Sequence, residues 1–366
     1  MTDFALAHAA DAEPRALAET CAAQLSHIDG HTLGFLYVTD PLAGALGEVA
    51  EILRTATGVP DWVGTVGLGV CATGTEYFGR PAITALTGRF AQDAYRITGS
   101  LTDPDEIAAP ADAGFVAGLG VVHGDPRNTH TPDIVAALAH EKGTYLVGGL
   151  SAAESAFPQL AGRTTEGGVS GVLLGGALNV AVGLTQGCSP IGPTHRISRG
   201  ESNVLVRLDD RPALEVLCED LGVADGVDPR PWLGNIHAAL PVAGSDTGDY
   251  LVRNLIGIEP SQGLVVIAEE IRAGARLMFV RRDEESASKD LRRMLDDLQS
   301  RTQSPPKAGL YFSCVARGPN LFEGEAHELG AIRDSFGEIP VVGFFGNGEI
   351  SHDRVYGYTG VLTLFL

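Results

Sequence analysis

Residues 167–193 form a long stretch without a single charged side chain, in a chain whose formal net charge is −20. Such a stretch is expected to be buried. Its many glycines argue against a membrane-spanning helix, because glycine is a poor helix former. The aliphatic runs 169–174 and 177–184 are separated by Gly175 and Gly176, a pair that suits a two-residue turn. The pattern therefore predicts a buried β-hairpin.

Part of this stretch recurs near the end of the chain, and two earlier segments recur in the same order. Because three ordered matches have similar separations, they indicate an internal duplication. We expect two similar halves, 1–199 and 200–366, related by a pseudo-two-fold axis. The matched pairs are residues 118–120 with 309–311, 146–154 with 341–349, and 168–173 with 357–362.

The remaining pattern contains more short apolar runs than helical ones. The clearest helix has Leu291, Met294, Leu295 and Leu298 at the i, i+3, i+4, i+7 spacing of one buried face. Runs of strands with intervening helices predict an α+β fold. Each half should contain a mostly antiparallel or mixed sheet with helices on its outer face.

Charge and cysteine content narrow the class of protein. With only three lysines and a strongly negative charge, the chain lacks the basic face that nucleic acid or an anionic membrane requires, so neither is expected as a partner. The five cysteines form no CxxC pair, which suits a reducing compartment. The N-terminus has no basic region followed by a long apolar run, so no secretion signal is expected. These features predict a cytoplasmic protein.

Four residues at the ends of apolar strands are candidate site residues. Cys188 begins a proline-rich turn, and Cys314 lies three residues before Arg317. Glu349 follows an apolar run, where a carboxylate needs a donor, and Arg317 is the expected partner. A structural ion pair and a pair that grips a ligand fit this pattern equally well. Each cysteine is more simply a buried small hydrophobe than a reactive thiol.

Glu154 is the repeat counterpart of Glu349 and could face a shared interface with it. Ser151 lacks the GxSxG spacing of a hydrolase nucleophile. His123, His195 and His237 stand at no metal-binding spacing, so no metal site is expected, and each is more simply a hydrogen-bonded structural residue.

Several segments together resemble FIST-domain proteins, which combine an N-terminal FIST domain with a C-terminal FIST domain. The resemblance rests on residues 187–193 (GCSPIGP), 250–254 (YLVRN), 312–318 (FSCVARG) and 342–350 (VGFFGNGEI). It divides the chain into a FIST N-like domain, 1–199, and a FIST C-like domain, 200–366.

The resemblance implies a cytoplasmic signal-transduction protein that senses a small ligand, an amino acid or a related metabolite. It also implies a separate signalling partner, such as a histidine kinase or a cyclic-dinucleotide signalling protein. Two alternatives stay open, namely a haem-binding nitric oxide sensor and an enzyme with a cysteine-based active site. A small-ligand sensor of this kind needs no cofactor, whereas the nitric oxide sensor would need haem. The expected ligand-binding residues are Ser151, Glu154, Cys188, Cys314, Arg317, Phe345, Asn347 and Glu349.

Overall fold

A computed structural model describes residues 3–107, 114–224, 230–242, 248–324 and 326–366, apart from the side chain of Trp232. The chain folds into two compact units. Unit 1 comprises Met1–Gln186 and Leu291–Leu366, and unit 2 comprises Gly187–Asp290. The two units are defined by contacts within the fold. The domain boundary between residues 199 and 200 was drawn from the sequence, and it stays a prediction.

The described residues are mainly in strands. In chain order the strands are β1 (Phe4–Ala10), β2 (Leu33–Thr39), β3 (Asp61–Gly67), β4 (Gly69–Ala72), β5 (Thr75–Phe78), β6 (Ala82–Gly88), β7 (Tyr95–Leu101), β8 (Ala117–Gly124), β9 (Tyr145–Leu150), β10 (Gln159–Ala161), β11 (Arg163–Thr165), β12 (Val169–Gly175), β13 (Val180–Gln186), β14 (Cys188–Pro190), β15 (His195–Glu201), β16 (Val204–Leu208), β17 (Arg211–Pro212), β18 (Ile236–Pro241), β19 (Tyr250–Glu259), β20 (Leu264–Ile267), β21 (Arg276–Arg282), β22 (Ala308–Cys314), β23 (Val341–Gly346), β24 (Glu349–His352), β25 (Arg354–Tyr356) and β26 (Thr359–Phe365).

Helices are the minority, as the α+β prediction requires. The α-helices are α1 (Pro14–Gln24), α2 (Leu46–Thr57), α3 (Thr131–Lys142), α4 (Ala213–Leu221), α5 (Glu284–Arg301) and α6 (His327–Phe336). The expected apolar face of α5 is buried from Leu291 to Leu298. No helix among the described residues is long and apolar enough to cross a membrane.

Unit 1 contains three six-stranded mixed sheets with the strand orders β1-β6-β2-β3-β10-β11, β25-β24-β9-β8-β12-β7 and β13-β26-β22-β23-β4-β5. Each sheet contains one parallel pair: β2 with β3, β8 with β9, and β22 with β23. A helix connects the two strands of each pair, which is the usual crossover for parallel neighbours. The α+β class with mixed sheets is thus confirmed.

The repeat expected from the sequence is present, and it occurs three times in unit 1. Each copy has a parallel pair, its crossover helix and a later antiparallel strand beside the first strand. Copy 1 is β2-α2-β3 with β6, copy 2 is β8-α3-β9 with β12, and copy 3 is β22-α6-β23 with β26.

Exchanged hairpins join the three copies in a closed cycle. The hairpin β4–β5 follows copy 1's parallel pair but pairs with β23 of copy 3. The hairpin β24–β25 follows the pair of copy 3 and pairs with β9 of copy 2. The hairpin β10–β11 follows the pair of copy 2 and pairs with β3 of copy 1. Each sheet is therefore completed by a neighbouring copy.

The strand registers show which residues are equivalent in the three copies. The second strand of each parallel pair has a glycine opposite the first strand, and an added Cβ there would overlap the carbonyl oxygen of the facing residue. Only glycine allows this close approach. The glycines and their facing residues are Gly64 with Leu36, Gly148 with Val122, and Gly343 with Tyr311.

The residues that follow these facing positions meet in the core of unit 1. They are Tyr37, His123 and Phe312, and their ring centroids lie 5.6 to 6.4 Å apart. Phe344 packs against all three rings at 5.2 to 5.9 Å. The three copies therefore share one aromatic core.

Unit 2 is a closed antiparallel barrel. Its strands follow the order β15-β16-β20-β19-β18-β21, and β21 returns to pair with β15. Helix α4 packs on an apolar cluster of barrel residues that includes Ile197 and Phe279. Gly222 ends the helix in a left-handed conformation, as expected from the sequence.

The predicted hairpin at 169–184 is wrong. The strand β12 pairs with β7 and β8, whereas β13 pairs with β26 in another sheet. The amides of Gly175 and Gly176 bond to Ala94 and Val116, so they join β12 to its own sheet and do not close a hairpin. The stretch is uncharged because strands of different sheets bury both of its halves.

Candidate functional site

Copy 3 contains a buried ion pair between Arg317 and Glu328. Both side chains are fully enclosed. Arg317 Nε donates to Glu328 Oε1 at 2.8 Å, and Nη2 lies 2.7 Å from the same oxygen without hydrogen-bond alignment. The face of the guanidinium packs on Phe322, with Cζ 5.4 Å from the ring centroid. The sequence predicted Glu349 as the partner of Arg317, and the hydrogen bond is made with Glu328 instead.

Glu328 lies in the first turn of α6, and both of its carboxylate oxygens accept hydrogen bonds from protein donors. Besides Arg317, its Oε1 accepts the Tyr311 hydroxyl at 2.6 Å. Its Oε2 accepts the Ser313 hydroxyl at 3.0 Å and the Gly318 amide at 3.3 Å. So many donors offset the cost of burying a carboxylate. The ion pair of Arg317 and Glu328 carries no net charge.

Glu349 lies at the start of β24 and is only partly satisfied. Its Oε2 accepts the hydroxyl of Thr359 at 2.7 Å and the amide of the same residue at 3.2 Å. Burial raises the pKa of Glu349 to about 8, although Thr359 and the positive charge of Arg317 lower it. At neutral pH the carboxyl group is therefore largely protonated.

Three polar atoms of Arg317 and Glu349 are buried without a hydrogen-bond partner in the described structure. They are Nη1 and Nη2 of Arg317, and Oε1 of Glu349. The two side chains influence each other electrostatically, since each shifts the pKa of the other. Buried polar groups are usually paired, because an unpaired one costs about 1–3 kcal/mol. Arg317 therefore has unused donors, and Glu349 has one carboxyl oxygen without a hydrogen bond.

In copies 1 and 2, the residue equivalent to Glu349 leaves no polar side-chain atom unpaired. By register, Glu349 is equivalent to Gln159 of copy 2 and Val70 of copy 1. The Gln159 side chain accepts the Ser170 hydroxyl at 2.6 Å and donates to the Gly168 carbonyl at 2.9 Å, so both of its ends are paired. The repeated architecture therefore needs no carboxyl group at this position.

The prediction that Glu154 is the counterpart of Glu349 is wrong. Glu154 lies in an exposed loop, and its amide donates to Asp40 at 3.0 Å. The gap-free sequence alignment failed because the loop before β10 is longer than the turn before β24. Gln159 occupies the equivalent place.

The other predicted residues of unit 1 differ in their surroundings. The Ser151 hydroxyl pairs with Thr65 at 2.6 Å. Asn347 is exposed in the turn before β24. Phe345 is buried against Phe78, with ring centroids 4.5 Å apart, and lies beside Gly318, whose amide bonds to Glu328. Of the seven predicted site residues in unit 1, the structure brings together Cys314, Arg317 and Glu349, and Phe345 packs beside them. Ligand binding by all of these residues stays a prediction.

Cys314 occupies a position that is structural in the other copies. Its equivalents are Thr39 and Asp125. The Thr39 hydroxyl accepts the amide of Ala82, the first residue of β6, and the Asp125 carboxylate accepts the amide of Gly167, two residues before β12. The amides of Ala316 and Tyr358 approach the Cys314 sulfur in the same way. Burial nevertheless raises the pKa of the thiol well above its usual value. This environment favours an anchoring role.

Cys188 lies in unit 2, where β14 pairs with β21. It is buried, and its carbonyl accepts the hydroxyl of Tyr250.

The three histidines are engaged in structural contacts. His123 lies in the aromatic core with Nε2 3.3 Å from the Tyr37 hydroxyl, and burial lowers its pKa to about 3. His195 contacts Asp209 and Asp220 in unit 2. Burial lowers the pKa of His237 to about 4. Across the described ranges, no three His, Cys, Asp or Glu side chains are arranged to hold a metal ion.

Sequence reasoning missed Glu328 and Glu76. The Oε1 atom of Glu76 is buried without a partner, and burial followed by the charge of Glu328 raises the pKa of Glu76 to about 8. Glutamates are rarely buried, so their positions in a helix and a short strand gave no signal. The available hint was the spacing of Glu328 from Tyr311 and Arg317 across one crossover.

The fold and this cluster define an α+β protein with an enclosed polar site. The FIST N domain model matches residues 32–211, and the FIST C domain model matches residues 213–352. The chain therefore belongs to the FIST family, whose domains are of the sensory, signal-transduction kind.

Curated relatives support the same relationship. The chain is 36% identical over 211 residues to the uncharacterized protein Rv0628c of Mycobacterium tuberculosis, covering 54% of each chain. It is 32% identical over 214 residues to the uncharacterized protein Mb0898c of Mycobacterium bovis, covering 54% of this chain and 53% of the relative. A 48-residue segment is 44% identical to human F-box only protein 22, covering 13% of this chain. The chain thus matches about half the length of the two mycobacterial relatives.

Proposed function

We propose that this protein is a cytoplasmic sensory module that binds a small zwitterionic ligand, an amino acid or a related metabolite, between Arg317 and Glu349. The observation that supports the proposal is the set of buried atoms without hydrogen-bond partners, which are Nη1 and Nη2 of Arg317 and Oε1 of Glu349. A bound molecule that offers an acceptor to Arg317 and a donor to an ionised Glu349 would satisfy them.

The charges of the cluster suit an amino acid. Arg317 remains charged, because Glu328 outweighs the effect of burial on its pKa. Its free edge can bind a carboxylate, which is the acceptor that a guanidinium prefers. Glu349 can bind an ammonium group, and a nearby cation would lower its pKa so that it releases its proton. The ligand would then bring one charge to each side chain.

The surroundings explain how binding could produce a signal. Arg317, Glu328 and Glu349 are enclosed, so a ligand can enter only if the neighbouring segments move. The segment between β22 and α6 is the natural candidate, because Phe322 from this segment covers the guanidinium. A ligand that prefers one arrangement of that segment shifts the population toward it. A separate partner, for example a histidine kinase or a cyclic-dinucleotide signalling protein, would detect the shift.

The two alternative functions have less support. A haem would need an axial histidine or cysteine, and His123, His195, Cys188 and Cys314 would each have to leave the contacts described above. A cysteine-based enzyme would need an activated thiol, whereas burial raises the pKa of Cys314. We therefore favour small-ligand binding over these two functions.

The proposal can be tested by calorimetric titration of the extensively dialysed protein with each of the twenty amino acids. We expect at least one to bind, and Glu349→Gln to weaken its affinity at least about tenfold, equivalent to 1.4 kcal/mol. The matched control is Glu166→Gln, which changes an exposed carboxylate that pairs with Arg127. Failure of every amino acid to bind, or equal binding by the Glu349→Gln protein, would contradict the proposal.

A further inference from the structure

The barrel of unit 2 contains a histidine between two carboxylates from different elements. His195 opens β15, Asp209 lies in the turn between β16 and β17, and Asp220 belongs to the last turn of α4. His195 is 8% exposed. The ring therefore connects a strand, a turn and a helix at a nearly buried position.

Both ring nitrogens face an acceptor at hydrogen-bond distance. Nδ1 lies 2.7 Å from Asp209 Oδ2, and Nε2 lies 2.9 Å from Asp220 Oδ2. A neutral imidazole has one N–H donor and one acceptor, whereas an imidazolium has two donors. Two ionised carboxylates can both be bonded only by the imidazolium. With both carboxylates ionised, the geometry thus favours the imidazolium.

The space for this arrangement is created by Gly192. A Cβ at this residue would overlap the carboxyl group of Asp220. The Asp220 side chain is 5% exposed, so the loss of its partner would leave a nearly buried carboxylate without that hydrogen bond. Asp209 is about half exposed, and its Oδ1 also accepts the Arg196 amide at 2.9 Å. Asp220 therefore depends on the ring more than Asp209 does.

Other charged groups near the ring act weakly. Arg196 follows His195 in β15 and is exposed, and Arg276 pairs with Arg196 in β21 and is also exposed. From β21 the ring meets Phe279, with centroids 6.5 Å apart. The two carboxylates are thus the charges in direct contact with the ring, and together they exceed its single positive charge.

We propose that His195 is a proton-binding site of unit 2, which holds an imidazolium at neutral pH and loosens the barrel when the proton leaves. The proton joins β15 to α4 through Asp220. Its loss removes one of the two hydrogen bonds and leaves one of the carboxylates facing a ring nitrogen with a lone pair. This site is independent of the Arg317–Glu349 cluster, which belongs to unit 1.

The direction of the pH effect follows from linkage. Burial alone would lower the pKa of His195, but its hydrogen bonds to Asp209 and Asp220 raise it above the usual 6.5. A raised pKa in the folded state means that stability is fully present below pH 6.5 and is lost as the pH rises through the folded-state pKa. Stability of unit 2 should therefore fall as the pH rises above 6.5.

Long-range ¹H–¹⁵N spectra of the full-length chain test the protonation state directly. His195 signals are assigned by their loss in His195→Gln. At pH 7 we expect both ring nitrogens to have imidazolium shifts, and Asp220→Asn to lower the midpoint of the His195 titration by at least one pH unit. A neutral ring at pH 7, with one nitrogen at the shift of a lone-pair nitrogen, would overturn the proposal.

Thermal unfolding between pH 6 and 9 tests the consequence. We expect the melting temperature of the unit 2 transition to fall with pH more steeply in the wild type than in His195→Gln. His27→Gln, at an exposed histidine, is the matched control and should keep the wild-type slope. If His195→Gln fails to fold, Asp209→Asn replaces it, because that side chain is half exposed. Equal slopes in the wild type and the variant would refute the proposed loosening.

Discussion

Gly343→Ala tests the repeated architecture of unit 1. Gly343 in β23 lies opposite Tyr311 in the parallel partner β22, and an added methyl group would overlap the carbonyl oxygen, carbon and amide of Tyr311. These are backbone atoms in the centre of a sheet, so no side-chain rotation can relieve the overlap. The two strands would have to separate.

The expected cost follows from two effects. Overpacking in a well-packed core costs typically about 1–3 kcal/mol. Separation of the strands also weakens one or two ladder hydrogen bonds, at about 0.5–1.5 kcal/mol each. Together these give roughly 2–6 kcal/mol, which corresponds to a fall on the order of 10 °C in melting temperature for a unit of this size.

Denaturant and thermal unfolding of the variant measure this cost. The matched control is Gly330→Ala, where an added methyl group meets nothing within 4 Å and the residue lies inside α6. We expect that change to be neutral or to stabilise by up to about 1 kcal/mol. Gly64→Ala in copy 1 should resemble Gly343→Ala, because Leu36 stands where Tyr311 does. Wild-type stability of Gly343→Ala would refute the register on which the three copies rest.

Three further predictions concern the buried groups of unit 1. Burial raises the pKa of Glu349 to about 8, so its contribution to stability is fully present below pH 4.5 and is lost as the pH rises to 8. Glu349→Gln should therefore flatten the decline of melting temperature with pH and stabilise the protein at pH 8.5 by on the order of 3 kcal/mol. An unchanged slope would contradict the assignment. Arg317→Met should lower the free energy of unfolding, measured in urea, by about 3–5 kcal/mol because Glu328 loses its cation. The double variant Arg317→Met/Glu328→Gln should lower it by less than the sum of the single changes. Strict additivity would show that the pair is not coupled. Cys314 should react with iodoacetamide at pH 7.5 more slowly than the less buried Cys218, as followed by mass spectrometry, and faster labelling of Cys314 would support an activated thiol.

Local signals in the sequence predicted the helices well. The glycines Gly58, Gly143 and Gly222 end α2, α3 and α4 in the left-handed conformation, which is the conformation that glycine commonly adopts after a helix. These stops depend on one residue's backbone freedom, which sequence displays directly. The buried face of α5 follows from its spacing for the same reason.

Pairing between distant strands was much harder to predict. Residues 63–71 form one run without a charged side chain in the sequence, but Gly67 ends β3 and Gly69 begins β4 in another sheet. That break conceals copy 1 of the repeat, because its hairpin belongs to the sheet of copy 3. A sequence shows that a strand is buried but not which neighbour buries it, so the third copy was missed.

The candidate site was predicted in part. Apolar strand ends indicated Arg317 and Glu349, since charged residues there need partners. The partner that Arg317 bonds, Glu328, comes from the helix that crosses over β22 and β23, and only the folded crossover brings it there. The position of Glu154 was misjudged because a loop insertion displaces the aligned residue from the strand.

The enclosed polar site of copy 3 is the central claim, and native mass spectrometry tests it most directly. The wild type and Glu349→Gln are each incubated with an equimolar mixture of the twenty amino acids and then measured. We predict one amino acid bound per chain in the wild type and a largely bare Glu349→Gln protein. A bare wild type, or the same adduct on both proteins, would contradict the account.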